Sequence, residues 1–194
     1  MNKRTKDGKA EWEAFGAANA GRIILSADDH RRALACVAAV RAHPAAAKLL
    51  DGGEREISLY WQDGRYNVPC KARYDAFNQG GVVDLKTTQD ASPEAFGRSC
   101  ATFLYHAQAA MYLSAGEHAL NATPRFFAFI CVESEPPHAV ACYVLPSAAI
   151  LAGGVLINIA LERYAAALAA AEWPGYPQTI DTLPFPKWAL KFDQ

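Results

Sequence analysis

Gly81-Val82-Val83-Asp84-Leu85-Lys86-Thr87-Thr88 is the stretch on which the reading of this chain turns. Val82 to Thr87 is β-branched and apolar enough to be a short strand. Side chains alternate faces along a strand, so Asp84 and Lys86 share one side and Val83 and Leu85 the other. A carboxylate and an ammonium together on a buried strand are costly as structure alone. They make chemical sense if the acid holds a divalent metal and the lysine steadies a hydroxide or a phosphate. Asp75 closes the preceding strand-like run and offers a second carboxylate.

Upstream, Glu54 to Trp61 alternates, with Ile57, Leu59 and Trp61 facing one way and Glu56, Ser58 and Tyr60 the other. Gln62-Asp63-Gly64-Arg65 reads as a turn, and Tyr66 to Phe77 as a second strand, broken or bulged near Pro69. Asn78-Gln79-Gly80-Gly81 is a further turn into the Asp84 strand. Three strands joined this tightly form an antiparallel meander, with Glu56, Asp75, Asp84 and Lys86 candidates for one face.

Ahead of the meander, Ser26 reads as a helix cap with Asp28 and Asp29 in the first turn. That helix is expected to end near His43, and Pro44 to open another that stops at Asp51-Gly52-Gly53. Residues 1–20 are polar and alanine-rich without a clear period and read as a flexible start, so a single domain is expected over 21–194. Downstream, Ser92-Pro93-Glu94 begins a helix expected to run to about Ser114 and to stop at Gly116. Its apolar stripe is Phe96, Cys100, Phe103, Ala107 and Met111, with Tyr105, Gln108 and Tyr112 on a neighbouring face. Strands are expected over Arg125–Val132, apolar on both faces and so central, and over Ala139–Leu145. A long alanine-rich helix follows, about Ala148 to Ala171. The proline-rich tail, with Trp173, Tyr176, Phe185 and Trp188, is expected to pack on the domain or on a partner subunit. The whole is a mixed α/β sandwich.

At 194 residues with 52% apolar and 20% charged content, the chain is ordinary globular material. A formal net charge of −1 gives no global sign of nucleic acid, so any phosphate binding has to be local. The five cysteines are odd in number and widely spaced, which suits reduced thiols in the cytoplasm and gives no zinc ribbon or iron–sulfur spacing. The polar N-terminus is not a signal peptide, and no apolar run is expected to reach the length of a membrane span.

Several motifs stand in an order that resembles one family. They are Glu56-Ile57-Ser58-Leu59-Tyr60-Trp61, Cys70-Lys71-Ala72-Arg73-Tyr74-Asp75, Asp84-Leu85-Lys86-Thr87-Thr88 and the Tyr105-His106-Ala107-Gln108 helix with Tyr112. Glu172-Trp173-Pro174 and Leu183-Pro184-Phe185-Pro186-Lys187-Trp188 add to them. Together they resemble the nuclease domain of the RecE (exodeoxyribonuclease VIII) family of the PD-(D/E)xK superfamily. The resemblance implies a restriction-endonuclease-like core, a central mixed sheet of about five strands flanked by helices.

It further implies that His43, Asp75, Asp84 and the Leu85 carbonyl hold Mg²⁺ or Mn²⁺. Lys86 would orient the attacking water, and Glu56 would take a water on the metal, a second metal or the substrate end. Arg73, Tyr105, Gln108 and Tyr112 would position the scissile strand. The implied reaction is metal-assisted phosphodiester hydrolysis on linear double-stranded DNA, 5′ to 3′, by a ring-shaped homo-oligomer such as a tetramer. The family works with a single-strand annealing protein in phage-type recombination. Two other readings stay open: a nuclease of the same chemistry acting on single-stranded or flapped DNA, and a non-catalytic DNA-binding subunit on the same fold.

Overall fold

The computed structural model describes residues 4–120, 122–186 and 190. The helices are α1 (Lys6–Ala18), α2 (Ala27–Ala42), α3 (Pro44–Leu50), α4 (Pro93–Thr102), α5 (Tyr105–Ala119) and α6 (Ser147–Ala170). The strands are β1 (Glu54–Gln62), β2 (Pro69–Asn78), β3 (Gly81–Thr88), β4 (Phe127–Glu133) and β5 (Val140–Val144). One sheet takes them in sequence order, β1-β2-β3-β4-β5. All neighbours are antiparallel except β3 and β4, which run parallel. A parallel pair needs a long crossover, and α4 and α5 supply it. This is the expected mixed α/β sandwich.

The two faces of the sheet carry separate cores. Tyr74, Val82, Phe127 and Phe129 pack with Phe96 of α4 and Ala109 of α5 on one face. Val83, Ile130 and Val132 pack with Val40 of α2 and Ala46 of α3 on the other. β4 is buried on both faces from Phe127 to Val132, as its unbroken apolar run requires.

Strict alternation fails at one point, and that point makes the site. Tyr74 and Ala76 should share a face, yet Tyr74 joins the first core and Ala76 the second. The side-chain phase therefore slips at Asp75. Opposite it in β1, Glu56 takes a left-handed φ of 54°, rare for a residue with a side chain. Beyond this level β2 and β3 stop pairing; their rungs are Ala76–Val83, Phe77–Val82 and Asn78–Gly81. The irregularity expected near Pro69 is thus found at Asp75, and Pro69 simply opens β2.

Four other expectations are corrected. Residues 6–18 form α1 rather than a flexible start, with the Thr5 hydroxyl accepting from the Gly8 amide and Asp7 in the first turn. The helix after Pro93 is two helices, broken at Phe103 and at Leu104, whose φ is 55°. Gly116 does not stop α5. It lies inside the helix because a Cβ there would sit 2.5 Å from Pro124 and 3.1 Å from the Tyr74 hydroxyl.

The last correction concerns α6, which is long and apolar enough to cross a membrane by length and composition, contrary to the sequence expectation. Alanine and glycine dilute its larger apolar residues, which hid the run. It packs along α5. Gly153 allows the contact, since a Cβ there would lie 2.1 Å from the His106 carbonyl oxygen. It leaves Leu151, Val155 and Leu168 exposed. In the tail, Trp173 lies against Tyr164 with ring centroids 5.4 Å apart, while Tyr176, Leu183 and Phe185 are exposed. Lys187 and Trp188 lie outside the described residues.

Candidate active site

Asp84 is the one buried charged side chain among the described residues, 3% exposed. It sits mid-strand with Lys86 on the same face, as strand alternation dictates. The Asp84 Oδ1 atom accepts from the Gln108 amide nitrogen at 2.8 Å. Its Oδ2 is fully buried and receives no aligned hydrogen bond. Lys86 Nζ lies 2.5 Å from that Oδ2, a charge contact of a largely buried pair. Lys86 also donates to Gln108 Oε1 at 3.1 Å, so one Gln108 amide ties both partners in place.

The ammonium stands over the Tyr105 ring, 4.6 Å from its centroid, and 6.0 Å from that of Phe129. Burial pushes the Asp84 carboxyl above the ordinary aspartate value; Lys86 and Gln108 pull it back, and the nearby Asp75 charge adds to the rise. Removing a carboxylate from water costs several kcal/mol, on the order of 5, unless it is paired, and Lys86 is the partner that offsets this for Asp84.

Asp75 reaches the site from β2 at the slipped position. Its Oδ2 accepts from the Leu85 amide at 2.7 Å, replacing the ladder bond that β2 no longer makes. Asp75, Leu85 and Glu56 line a cleft of about 690 Å³ beneath α2, whose far wall includes Arg32 and Arg41. Glu56 is exposed and accepts from Arg73 Nε at 2.6 Å, so each of these two side chains has the other as its ion partner.

Of the expected residues, the fold thus gathers Asp75, Asp84, Leu85, Lys86, Gln108 and Tyr105, with Glu56 and Arg73 at the rim. Two stand apart. His43 is the cap of α3: its Nδ1 accepts from the Ala46 amide at 3.2 Å and lies 3.9 Å from Cys142 Sγ, on the β5 side of the sheet. Among the described residues no three His, Cys, Asp or Glu side chains cluster to hold a metal. Tyr112 is one helical turn on from Gln108, its ring tilted against those of Tyr74 at 5.6 Å and Phe127 at 6.2 Å, and it packs half-buried against the core.

Sequence reasoning missed Phe103. The helical spacing puts it in the apolar stripe of one long helix, but the break at Leu104 turns it out to 64% exposure beside Tyr105. No turn signal in Thr102-Phe103-Leu104-Tyr105 announces that break.

The donor set fits a hard divalent cation. Two carboxylates and a backbone carbonyl offer only oxygen, and Mg²⁺ commonly takes one or two carboxylates and keeps waters for the rest. Asp84 Oδ2, held by the Lys86 charge without an aligned hydrogen bond, is the atom such an ion would take.

No curated protein matches this chain. Among solved structures, the crystal structure of a "Putative exonuclease" from Eubacterium rectale superposes with a TM-score of 0.63, covering 97% of this chain and 75% of that one. At 11% identity it speaks to the fold. A second, SSO0001, reaches a TM-score of only 0.35 at 18% identity, over 57% of this chain and 50% of that one. The splayed strands, the Asp-x-Lys on β3 and the mixed sheet agree with the family model that matches residues 5–184, the PDDEXK-like domain of unknown function (DUF3799), and the chain belongs to that family.

Proposed function

We propose that the chain is a metal-dependent deoxyribonuclease, an exonuclease hydrolysing phosphodiester bonds of linear double-stranded DNA. The observation that carries this is the buried Asp84 beside Lys86, with the Asp75 carboxylate near enough to act on it from the level where β2 leaves β3. A purely structural pair has no use for that parting of the strands.

Asp75, Asp84 and the Leu85 carbonyl would hold Mg²⁺, with Mn²⁺ a second fitting ion. When bound, such an ion lowers the pKa of water and offsets charge on phosphate oxygens. Lys86, swung off Asp84, orients the attacking water and donates to the phosphoryl oxygens as their charge grows. Gln108 keeps Asp84 aimed, and Tyr105 supports the ammonium. Glu56 and Arg73 stand at the rim, where an arginine can receive a backbone phosphate. The resemblance adds His43 to the ligands; its Nδ1 caps α3 and leaves Nε2 for that role.

The RecE resemblance supports 5′-to-3′ polarity, a cytoplasmic setting and work beside a single-strand annealing protein. The exposed apolar side of α6 supports assembly of several copies. Such a face in water is worth covering at roughly 25 cal/mol per Å².

The test is incubation with 5′-labelled linear duplex in Mg²⁺, in EDTA and with Asp84→Ala. Mg²⁺-dependent release of label, absent in the variant and on closed circular duplex, is expected. Cutting of closed circular single strands would replace the exonuclease by a nuclease of single-stranded or flapped DNA. Folded protein that binds DNA yet cuts nothing in Mg²⁺ or Mn²⁺ would leave a non-catalytic binding subunit.

A further inference from the structure

Two openings meet at the end of β3. The cleft that holds Asp75 and Leu85 reaches Thr87 and Ser134. The same two residues line a second cavity of about 400 Å³ on the Tyr105 side. The Asp75 cleft and a chamber of small-ligand size thus share a wall at the end of the strand that bears Lys86.

The chamber has walls of two chemical kinds. Phe103 and Tyr105 present aromatic faces; Thr87, Gln89, Ser99 and Ser134 present hydroxyls and an amide. Flat apolar walls with hydrogen-bonding edges complement a nucleobase. Gln89 is exposed, and its amide makes no hydrogen bond to another of the described residues.

Phe103 is the more telling wall. It is 64% exposed although aromatic, and it stands on a turn made by Leu104 in a left-handed conformation. Such strain in a non-glycine residue is found where surrounding structure imposes it, and it gathers at functional sites. Its ring lies 5.6 Å from that of Tyr105 at 29°, a stack open on the outer side. Tyr105 in turn carries the Lys86 ammonium over its ring. The open aromatic face is thus linked through one ring to the lysine placed to meet the scissile phosphate.

Resting on the nuclease reading above, we propose that this cavity receives an unpaired nucleobase of the strand being cut, stacked on Phe103 and met at its edge by Gln89 and Ser134. A base still paired in a duplex cannot enter, so the strand must be single or frayed at the site. Stacking on an aromatic side chain tolerates every base, because each has a π-face.

The test uses a single-stranded oligonucleotide whose terminal base is 2-aminopurine, bound in Ca²⁺. Quenched fluorescence is expected with the wild type and with Phe103→Trp. Phe103→Ala should lose the quench and bind roughly 5- to 150-fold more weakly, the worth of one stacked base. An abasic residue in place of that base should erase the difference between wild type and Phe103→Ala. Circular dichroism melting confirms that the variants fold. Equal quench and affinity in wild type and Phe103→Ala overturn the proposal, and so does an affinity loss that persists on the abasic strand. Cleavage of the same strand in Mg²⁺ is followed in parallel. Base-dependent binding without cleavage removes the nuclease reading and leaves the base cavity standing; cleavage indifferent to Phe103 removes the cavity alone.

Discussion

The carboxylate of Asp75 takes the backbone amide of Leu85, 2.7 Å away, as its partner. This side chain does on β2 what a main-chain carbonyl does elsewhere in the sheet. It holds the parted strands at a fixed spacing while leaving its second oxygen toward the cleft. Asp75→Asn keeps an acceptor for the amide, and Asp75→Ala does not. Both are expected to abolish cleavage. Only the alanine variant should lose stability, by about 1 kcal/mol, since the half-exposed Leu85 amide can turn to water. Urea unfolding of the two variants checks this.

Lys86 and Asp84 separate stability from activity. Lys86→Met keeps the bulk over Tyr105 but leaves Asp84 as a buried, unpaired charge. Without metal this variant should be less stable by roughly 3 kcal/mol. Activity should fall at least about 100-fold, the usual cost of losing a donor aimed at developing charge. Mg²⁺ should raise its melting temperature more than that of the wild type, which calorimetry with and without the ion measures.

The protonation of Asp84 sets a pH signature. Burial raises its carboxyl above 3.8, against the pull of Lys86 and Gln108. A group raised in the folded state favours folding below its unfolded value, and that contribution is lost as pH climbs through the raised one. The metal-free melting temperature should carry a component that declines with rising pH across that window, absent in Asp84→Asn. The gain in melting temperature from Mg²⁺ should grow over the same window, because the ion binds the ionised form. The acid limb of the activity profile should likewise lie above that of a free aspartate.

Gly153 reports on the site from behind. Its contact with the His106 carbonyl sets how closely α6 lies on α5, and α5 carries Gln108. Gly153→Ala should destabilise by about 1–3 kcal/mol as the helices part. Turnover should drop as Gln108 shifts from Asp84, with weaker effect on DNA affinity. Thermal melts and steady-state kinetics separate the two.

Much of this was legible in the chain because the signals were local. Val82 to Thr87 alternates, so the shared face of Asp84 and Lys86 followed from strand geometry alone. Ser26, Pro44, Ser92 and Pro93 announced helix starts through caps and fixed φ. The phase slip at Asp75 was not legible, since it arises from a left-handed Glu56 across the hairpin and no glycine marks the place. The break at Leu104 was hidden for the same reason: a leucine carries no turn signal, and the periodicity on either side continued as if one helix ran through. His43 was read from its resemblance and its place ahead of β1. That it also caps a seven-residue helix, α3, through Nδ1 was not legible.

The contact between Lys86 and Asp84 has a consequence for the life history of the molecule. A buried acid that already owns a cation does not need a foreign one for the polypeptide to finish folding. Loading can follow as a separate and reversible event, so a chelator should empty the enzyme without unravelling it. A stock kept in EDTA should regain full turnover when Mg²⁺ is returned.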